Sequence, residues 1–197
     1  MIETSIGRLL VASLHQSIAE LLPTRLEFYE EWLNPAGLRD GRIGLGALAA
    51  VLSFLRREGD AYPRVMAHAG AHTADWVFAD LSALTRGVIK AAPTGIRARL
   101  VARVARSLVR RTCRTSRASV RWRRGKGGVR IRGSIFCGVR EPVEAPLCEF
   151  YASAIRRLML LFAFDASVET ERCLGTGGAD CLLQVSVRPA EEGAHAD

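Results

Sequence analysis

The sequence predicts an α+β protein: a helical N-terminal half packed on a four-stranded antiparallel sheet with helices on one face. Apolar residues recur at helical spacing through the first half of the chain. Near Arg117 the period switches to two, and two alternating runs follow. One helical run then precedes two further alternating runs, so the order is helices, hairpin, helix, hairpin.

The elements follow in order. Residues 3–22 form an amphipathic helix through Ile6, Leu9, Leu10, Leu14, Ile18, Leu21 and Leu22, and Pro23-Thr24 ends it. Glu27 to Leu33 forms a short second helix, stopped by Asn34-Pro35. A third lies within Gly41 to Gly59, with Ile43, Leu45, Leu48, Val51, Leu52 and Leu55 on its buried side. Asp60 caps a fourth that has Pro63 in its first turn and runs to about Leu81. A short piece spans Ser82 to Ala91, and a further helix spans Ile96 to Arg111. There Leu100, Val101, Val104 and Leu108 oppose Arg99, Arg103, Arg106 and Arg110.

Ala118 to Arg124 and Val129 to Cys137 alternate around a turn at 125–128, giving a hairpin with one apolar and one basic face. Leu147 to Leu161 is a helix. Ser167 to Cys173 and Leu182 to Arg188 are strands around a glycine turn, and 189–197 is expected to be a disordered tail. The domain reading is an N-terminal helical arm over 1–40 and one ligand-binding domain over 41–188.

Charge is distributed unevenly. From Arg86 to Arg140 there are 17 Lys and Arg and no Asp or Glu. The remainder of the chain holds 28 − 17 = 11 bases and all 20 acids, a balance of −9. This asymmetry suits an anionic ligand or an acidic partner surface. The longest apolar runs, Leu45 to Leu55 and Leu158 to Phe164, are far short of the roughly 20 residues that span a bilayer. The N-terminus has no basic region leading an apolar block, so the expected location is the cytoplasm, where the five cysteines stay reduced or bind metal.

Cysteine placement points to chemistry. Cys173 and Cys181 flank the glycine turn of the last hairpin, and Cys148 opens the preceding helix. Glu169 or Glu171 supplies a carboxylate nearby. Three thiolates and one oxygen suit tetrahedral Zn²⁺, while three small buried residues packing beside a turn is the plainer alternative.

Cys148-Glu-Phe-Tyr-Ala-Ser-Ala-Ile, then Val-Glu-Thr-Glu-Arg-Cys173, a glycine turn and Cys181-Leu-Leu-Gln-Val resemble the signature of the 4-vinyl reductase domain family. Gly41-Arg-Ile-Gly-Leu-Gly-Ala-Leu resembles a helix start of its bacteriochlorophyll 4-vinyl reductase group, with Leu45-Gly46 in place of Pro-Asn. The resemblance implies a fold shared with TRAPP small subunits and haem-nitric-oxide-binding domains. It implies a closed apolar pocket for a small ligand, and often a homodimer. It also implies a zinc held by three cysteines and a glutamate: Cys148, Cys173, Cys181 and Glu171. The family's glutamate falls three residues before the middle cysteine, where this chain has Thr170 between Glu169 and Glu171. A one-residue slip in a strand reverses the face.

His68 and His72 lie four apart on one helix face, followed by Asp75 and Trp76. Such a pair binds a metal or an iron porphyrin, or is simply a polar stripe. Ala69 excludes the zinc-protease motif. His68, His72, Trp76 and Trp122 are the candidate ligand-binding residues. The basic block lacks interleaved aromatics, because Trp122 points with Val120 away from the arginines, so nucleic acid is the weakest partner. No dinucleotide or phosphate loop and no nucleophile elbow occurs.

The sequence therefore leads to a protein holding a small hydrophobic ligand, with structural zinc. The alternatives are a catalytic or accessory role in reducing the 4-vinyl group of a chlorophyllide, with a tetrapyrrole ligand, and a basic nucleic-acid-binding regulator.

Overall fold

The apolar stripes of the N-terminal half become helices in a computed structural model that describes residues 6–33, 44–123, 126–139 and 142–187. They are α1 (Arg8–Leu21), α2 (Leu26–Glu30), α3 (Leu45–Arg57), α4 (Ala61–Asp80), α5 (Ala83–Ala91) and α6 (Thr94–Thr112). Strands β1 (Arg117–Arg123) and β2 (Lys126–Arg132) follow, then α7 (Glu149–Leu161), β3 (Ala166–Arg172) and β4 (Cys181–Val187). The expected boundaries at 40/41 and 188/189, the helix start at 41–43 and the tail 189–197 lie outside the described residues.

The order of elements is the predicted one, and the sheet is antiparallel throughout in the order β1-β2-β4-β3. The two hairpins therefore join through β2 and β4, where Val129 faces Leu183 and Ile131 faces Cys181. Alternation sets the faces. Ala118, Val129, Ile131, Leu183 and Val185 are buried under α6 and α7, while Arg117, Ser119, Arg121 and Arg123 are exposed on the other side. Three expectations need correction. The first helix begins at Arg8, because Gly7 is extended and Ile6 forms an antiparallel bridge with Cys113 instead of joining the helical stripe. The turn is shorter than 125–128, because Gly127 and Gly128 belong to β2 and pair with Trp122 and Arg121. The second strand stops at Arg132, not Cys137, because Gly133 adopts φ +65° and turns the chain into a 3₁₀ turn at Ile135–Cys137.

One core runs from the N-terminal helices to the sheet. Leu10, Leu14 and Ile18 of α1 pack with α4, and α4 packs along α7 in the most extensive helix–helix contact among the described residues. Gly70 sits at that crossing: a Cβ there would collide with the Phe150 carbonyl oxygen. Beside it Ser153 Oγ donates to the Ala67 carbonyl at 2.7 Å, a direct bond between the two helices.

This crossing yields a signed prediction. On propensity alone Gly70→Ala gains about 1 kcal/mol. The collision is with backbone, which yields poorly, so overpacking of about 1–3 kcal/mol wins. Urea unfolding of Gly70→Ala should show a lowered midpoint, and a raised midpoint would contradict the close α4–α7 approach.

Candidate metal centre

Four cysteines converge at one end of the sheet, each delivered by a different break in regular structure. Cys148 occupies the N-cap position of α7. Cys173 follows β3, where the register shifts between Thr170 and Arg172, and it leads the 3₁₀ turn Leu174–Thr176. Cys181 opens β4. Cys137 closes the 3₁₀ turn after Gly133. None is more than 2% exposed.

The sulfur atoms lie within 4.8 Å of one another. Cys137 is 3.4 Å from Cys148 and 3.5 Å from both Cys173 and Cys181, and Cys148 is 3.4 Å from Cys173. All are free thiols, and these separations far exceed a disulfide bond of about 2.05 Å. Tetrahedral zinc with sulfurs at about 2.3 Å has ligand–ligand edges of about 3.8 Å. The cluster fits that figure with a small expansion.

The surrounding backbone is arranged for charged sulfur. Gly175 N–H donates to Cys173 Sγ at 3.3 Å, and Leu147 N–H donates to it at 3.4 Å. Leu174 N–H donates to Cys181 Sγ at 3.4 Å. Such donors favour thiolate over thiol. The proton-bearing cluster can hold one negative charge well. Hydrogen bonds from Cys137 and Cys148, joined by the Leu174 N–H, bring Cys181 down to about 3 against the opposing effect of burial. Cys148 and Cys137 resist ionisation. Cys148 is raised by Cys137 first, then Cys181 and burial. At Cys137 the bond from Cys148 works downward, but Cys181 and burial prevail and push it up to about 12. Four thiolates in one buried space require a cation to neutralise them.

Neighbouring contacts tie the ligand-bearing segments together. Val143 N–H donates to the Gly175 carbonyl at 2.8 Å, linking the approach to Cys148 with the turn after Cys173. Arg56 of α3 donates to the Phe136 carbonyl at 2.9 Å, beside Cys137. Asp180, nearly buried beside Cys181, accepts from Arg172 at 2.9–3.0 Å and pairs with Arg130 at 3.3 Å, so one carboxylate fastens β2 and β3 at the cluster.

The structure thus brings Cys148, Cys173 and Cys181 together and adds Cys137. Glu171 is not with them: it is exposed, and its carboxylate accepts from Gln184 on β4. Glu169, exposed as well, is opposite Gln184 in the same ladder. Alternation puts both glutamates on the outer face of β3. Thr170, opposite the buried Leu183, occupies the inward position without a metal-binding carboxylate. Cys137 was hidden because the alternation of Val129 and Ile131 reads on through Gly133 as strand. The signal was Gly133-Ser134, which ends the strand and lets the cysteine turn toward the other three thiols.

His68, His72 and Trp76 come together on α4. The two imidazoles are 4.6 Å apart between centroids, and His72 stacks on Trp76 at 5.8 Å. Glu20 of α1 joins them, with Oε2 3.1 Å from His72 Nε2. Gln16 and then His72 hold the Glu20 carboxyl below its usual range. Trp122 is separate, on the β1–β2 hairpin and paired with Gly127. Beside the thiol cluster is a largely apolar cavity of about 390 Å³ whose lining includes Leu45, Leu52, Cys113, Ser134, Ile135 and Leu174. None of His68, His72, Trp76 or Trp122 lines it. Among the described residues no helix is long and apolar enough to cross a membrane.

No family model matches the chain, and no curated protein matches it. Among solved structures it is similar to the phenol-responsive sensory domain of the transcription activator PoxR with phenol. That likeness has 15% identity and a TM-score of 0.48, and covers 73% of this chain and 74% of that one.

The two donor sets make opposite predictions for zinc. Cys137→Ser should strip zinc from the purified protein or weaken its binding at least tenfold, whereas Glu171→Gln should retain one equivalent. Elemental analysis with a chelator-competition titration checks this. Zinc retained with full affinity in Cys137→Ser, or lost in Glu171→Gln, would restore the three-cysteine and glutamate set.

Proposed function

We propose that the chain is a small-molecule-binding module of the 4-vinyl reductase domain type, with a structural zinc tetrathiolate fixing one wall of its ligand pocket. The observation that carries the reading is the convergence of Cys137, Cys148, Cys173 and Cys181 in a buried space with three backbone N–H groups aimed at sulfur. A closed set of four thiolates leaves no position for substrate, which is the mark of a structural zinc site. Zinc supplies charge neutralisation and a crosslink there.

The protein's own residues do the rest. Ile135 and Gly138 flank the Cys137 turn, and Leu174 follows Cys173; all three line the cavity of about 390 Å³. Joining the two segments through metal fixes the distance between those walls. Leu45, Ala49 and Leu52 of α3 form the facing side. The volume lies in the range of small-ligand pockets, roughly 300–1,000 Å³. The lining is mainly apolar, and the buried Ser134 hydroxyl, close to the Cys137 thiol, is a polar group in it. A single hydroxyl in an otherwise apolar wall favours a ligand carrying one polar group. The chemistry matches a compact hydrophobic molecule with a single hydroxyl or carbonyl, such as a one-ring phenol. The signature around Cys148, Cys173 and Cys181 supports the same reading.

Thermal-shift titration of the zinc-loaded protein with phenol and with alkylphenols tests it. At least one of them should raise the melting temperature saturably. Ala49→Trp, an exposed position on the cavity rim, should abolish the shift without lowering the melting temperature of the free protein. No saturable shift with any of these phenols, or one that survives Ala49→Trp, would contradict this pocket as the ligand site.

A further inference from the structure

A second set of metal-ligating side chains lies away from the thiol cluster, between α1 and α4. His68 and His72 occupy successive turns of α4, which puts both rings on one side of the helix. Glu20, one residue before the end of α1, brings Oε2 to 3.1 Å from His72 Nε2 and 3.3 Å from His68 Nδ1. One ligand atom from each residue lies within 4.8 Å of the other two. The second carboxylate oxygen accepts from Gln16 Nε2, one turn earlier on α1, which leaves Oε2 directed at the imidazoles.

Ion pairing explains only part of this arrangement. His72 Nε2 and Oε2 form a hydrogen bond. His68 Nδ1 is shielded from water and has no hydrogen-bond partner, although Oε2 stands 3.3 Å away. The distance is short enough for a bond, so it is the direction that fails. The nitrogen and oxygen share a space rather than point at each other. A divalent ion about 2.0–2.2 Å from imidazole nitrogen and carboxylate oxygen keeps its ligand atoms about 3–3.5 Å apart. The two His–Glu distances fall in that range.

We propose that His68 Nδ1, His72 Nε2 and Glu20 Oε2 bind one divalent first-row transition ion. Two imidazoles and one carboxylate suit Zn²⁺, Co²⁺ or Ni²⁺, in contrast to the all-sulfur centre. The three side chains are 26–38% exposed, so the ion has faces open to water or to a small anionic ligand, as a three-ligand site requires. Asp75, the next acid on the helix, is engaged by Arg157 at 2.9 Å and is not a fourth ligand. Gln16 is the positioning residue for the carboxylate. The site belongs to α1 and α4 alone and does not depend on the tetrathiolate.

Titration of the protein carrying one zinc per chain with Co²⁺ tests the assignment, read by visible absorption and by quenching of Trp76, which stacks on His72. One equivalent should bind beyond the zinc, with weak ligand-field bands and no sulfur charge-transfer band. Glu20→Gln and His68→Ala should each weaken that equivalent at least tenfold while leaving the melting temperature within a few degrees. Absence of a second equivalent overturns the proposal. So does a cobalt spectrum dominated by sulfur charge transfer, or an affinity unchanged in both variants.

Discussion

Four sulfur atoms share one buried space, and the lower end of the sheet is built around that constraint. Buried thiols at contact distance do not ionise together, because each new charge is desolvated and repelled by the last. With protons alone, Cys181 gives up its proton readily while Cys137 and Cys148 hold theirs. With a divalent cation all four become ligands, and the three N–H donors then face charged sulfur. A crosslink there would join the 3₁₀ turn after β2, the start of α7 and both ends of the β3–β4 turn. These segments otherwise meet through a few backbone bonds, such as Val143 to Gly175. The same convergence brings Ile135, Gly138 and Leu174 into the lining of the neighbouring cavity.

The fold was largely legible because its periods are clean. The change from helical spacing to alternation at Arg117 marks the first strand, and Val120 and Trp122 turn inward while Arg121 and Arg123 turn out. The expected helix starts after Asp60 and at Ile96 fall within two residues of the observed Ala61 and Thr94. Glycine was the harder residue to read. Gly127 and Gly128 have the composition of a turn but belong to β2, since cross-strand pairing with Trp122 and Arg121 outweighs their weak strand preference. Gly133 was read as strand but ends it.

The candidate site divides along the same line. Cys148, Cys173 and Cys181 were visible because they flank recognisable elements. Cys137 was concealed by the misread strand end, and Glu171 was drawn in by a family pattern that this chain does not keep. A single residue of register decides the matter, since the inward position is Thr170 and the two glutamates face solvent. Glu20 had no local signal at all. It meets His68 and His72 only because α1 packs on α4, a tertiary contact that no periodicity announces. The basic block is largely what its period predicts, an exposed arginine face on α6 and β1, with Arg111 drawn to Asp80 and Arg130 to Asp180.

X-ray absorption at the zinc K-edge of the Glu20→Gln variant as purified, in which the ligand set between α1 and α4 is disabled, reads the central claim directly. The account predicts about one zinc per chain with four sulfur neighbours at about 2.3 Å and no lighter atom in the first shell. Three sulfurs with one oxygen or nitrogen would contradict the role given to Cys137, and protein that folds fully with no zinc at all would contradict the centre itself.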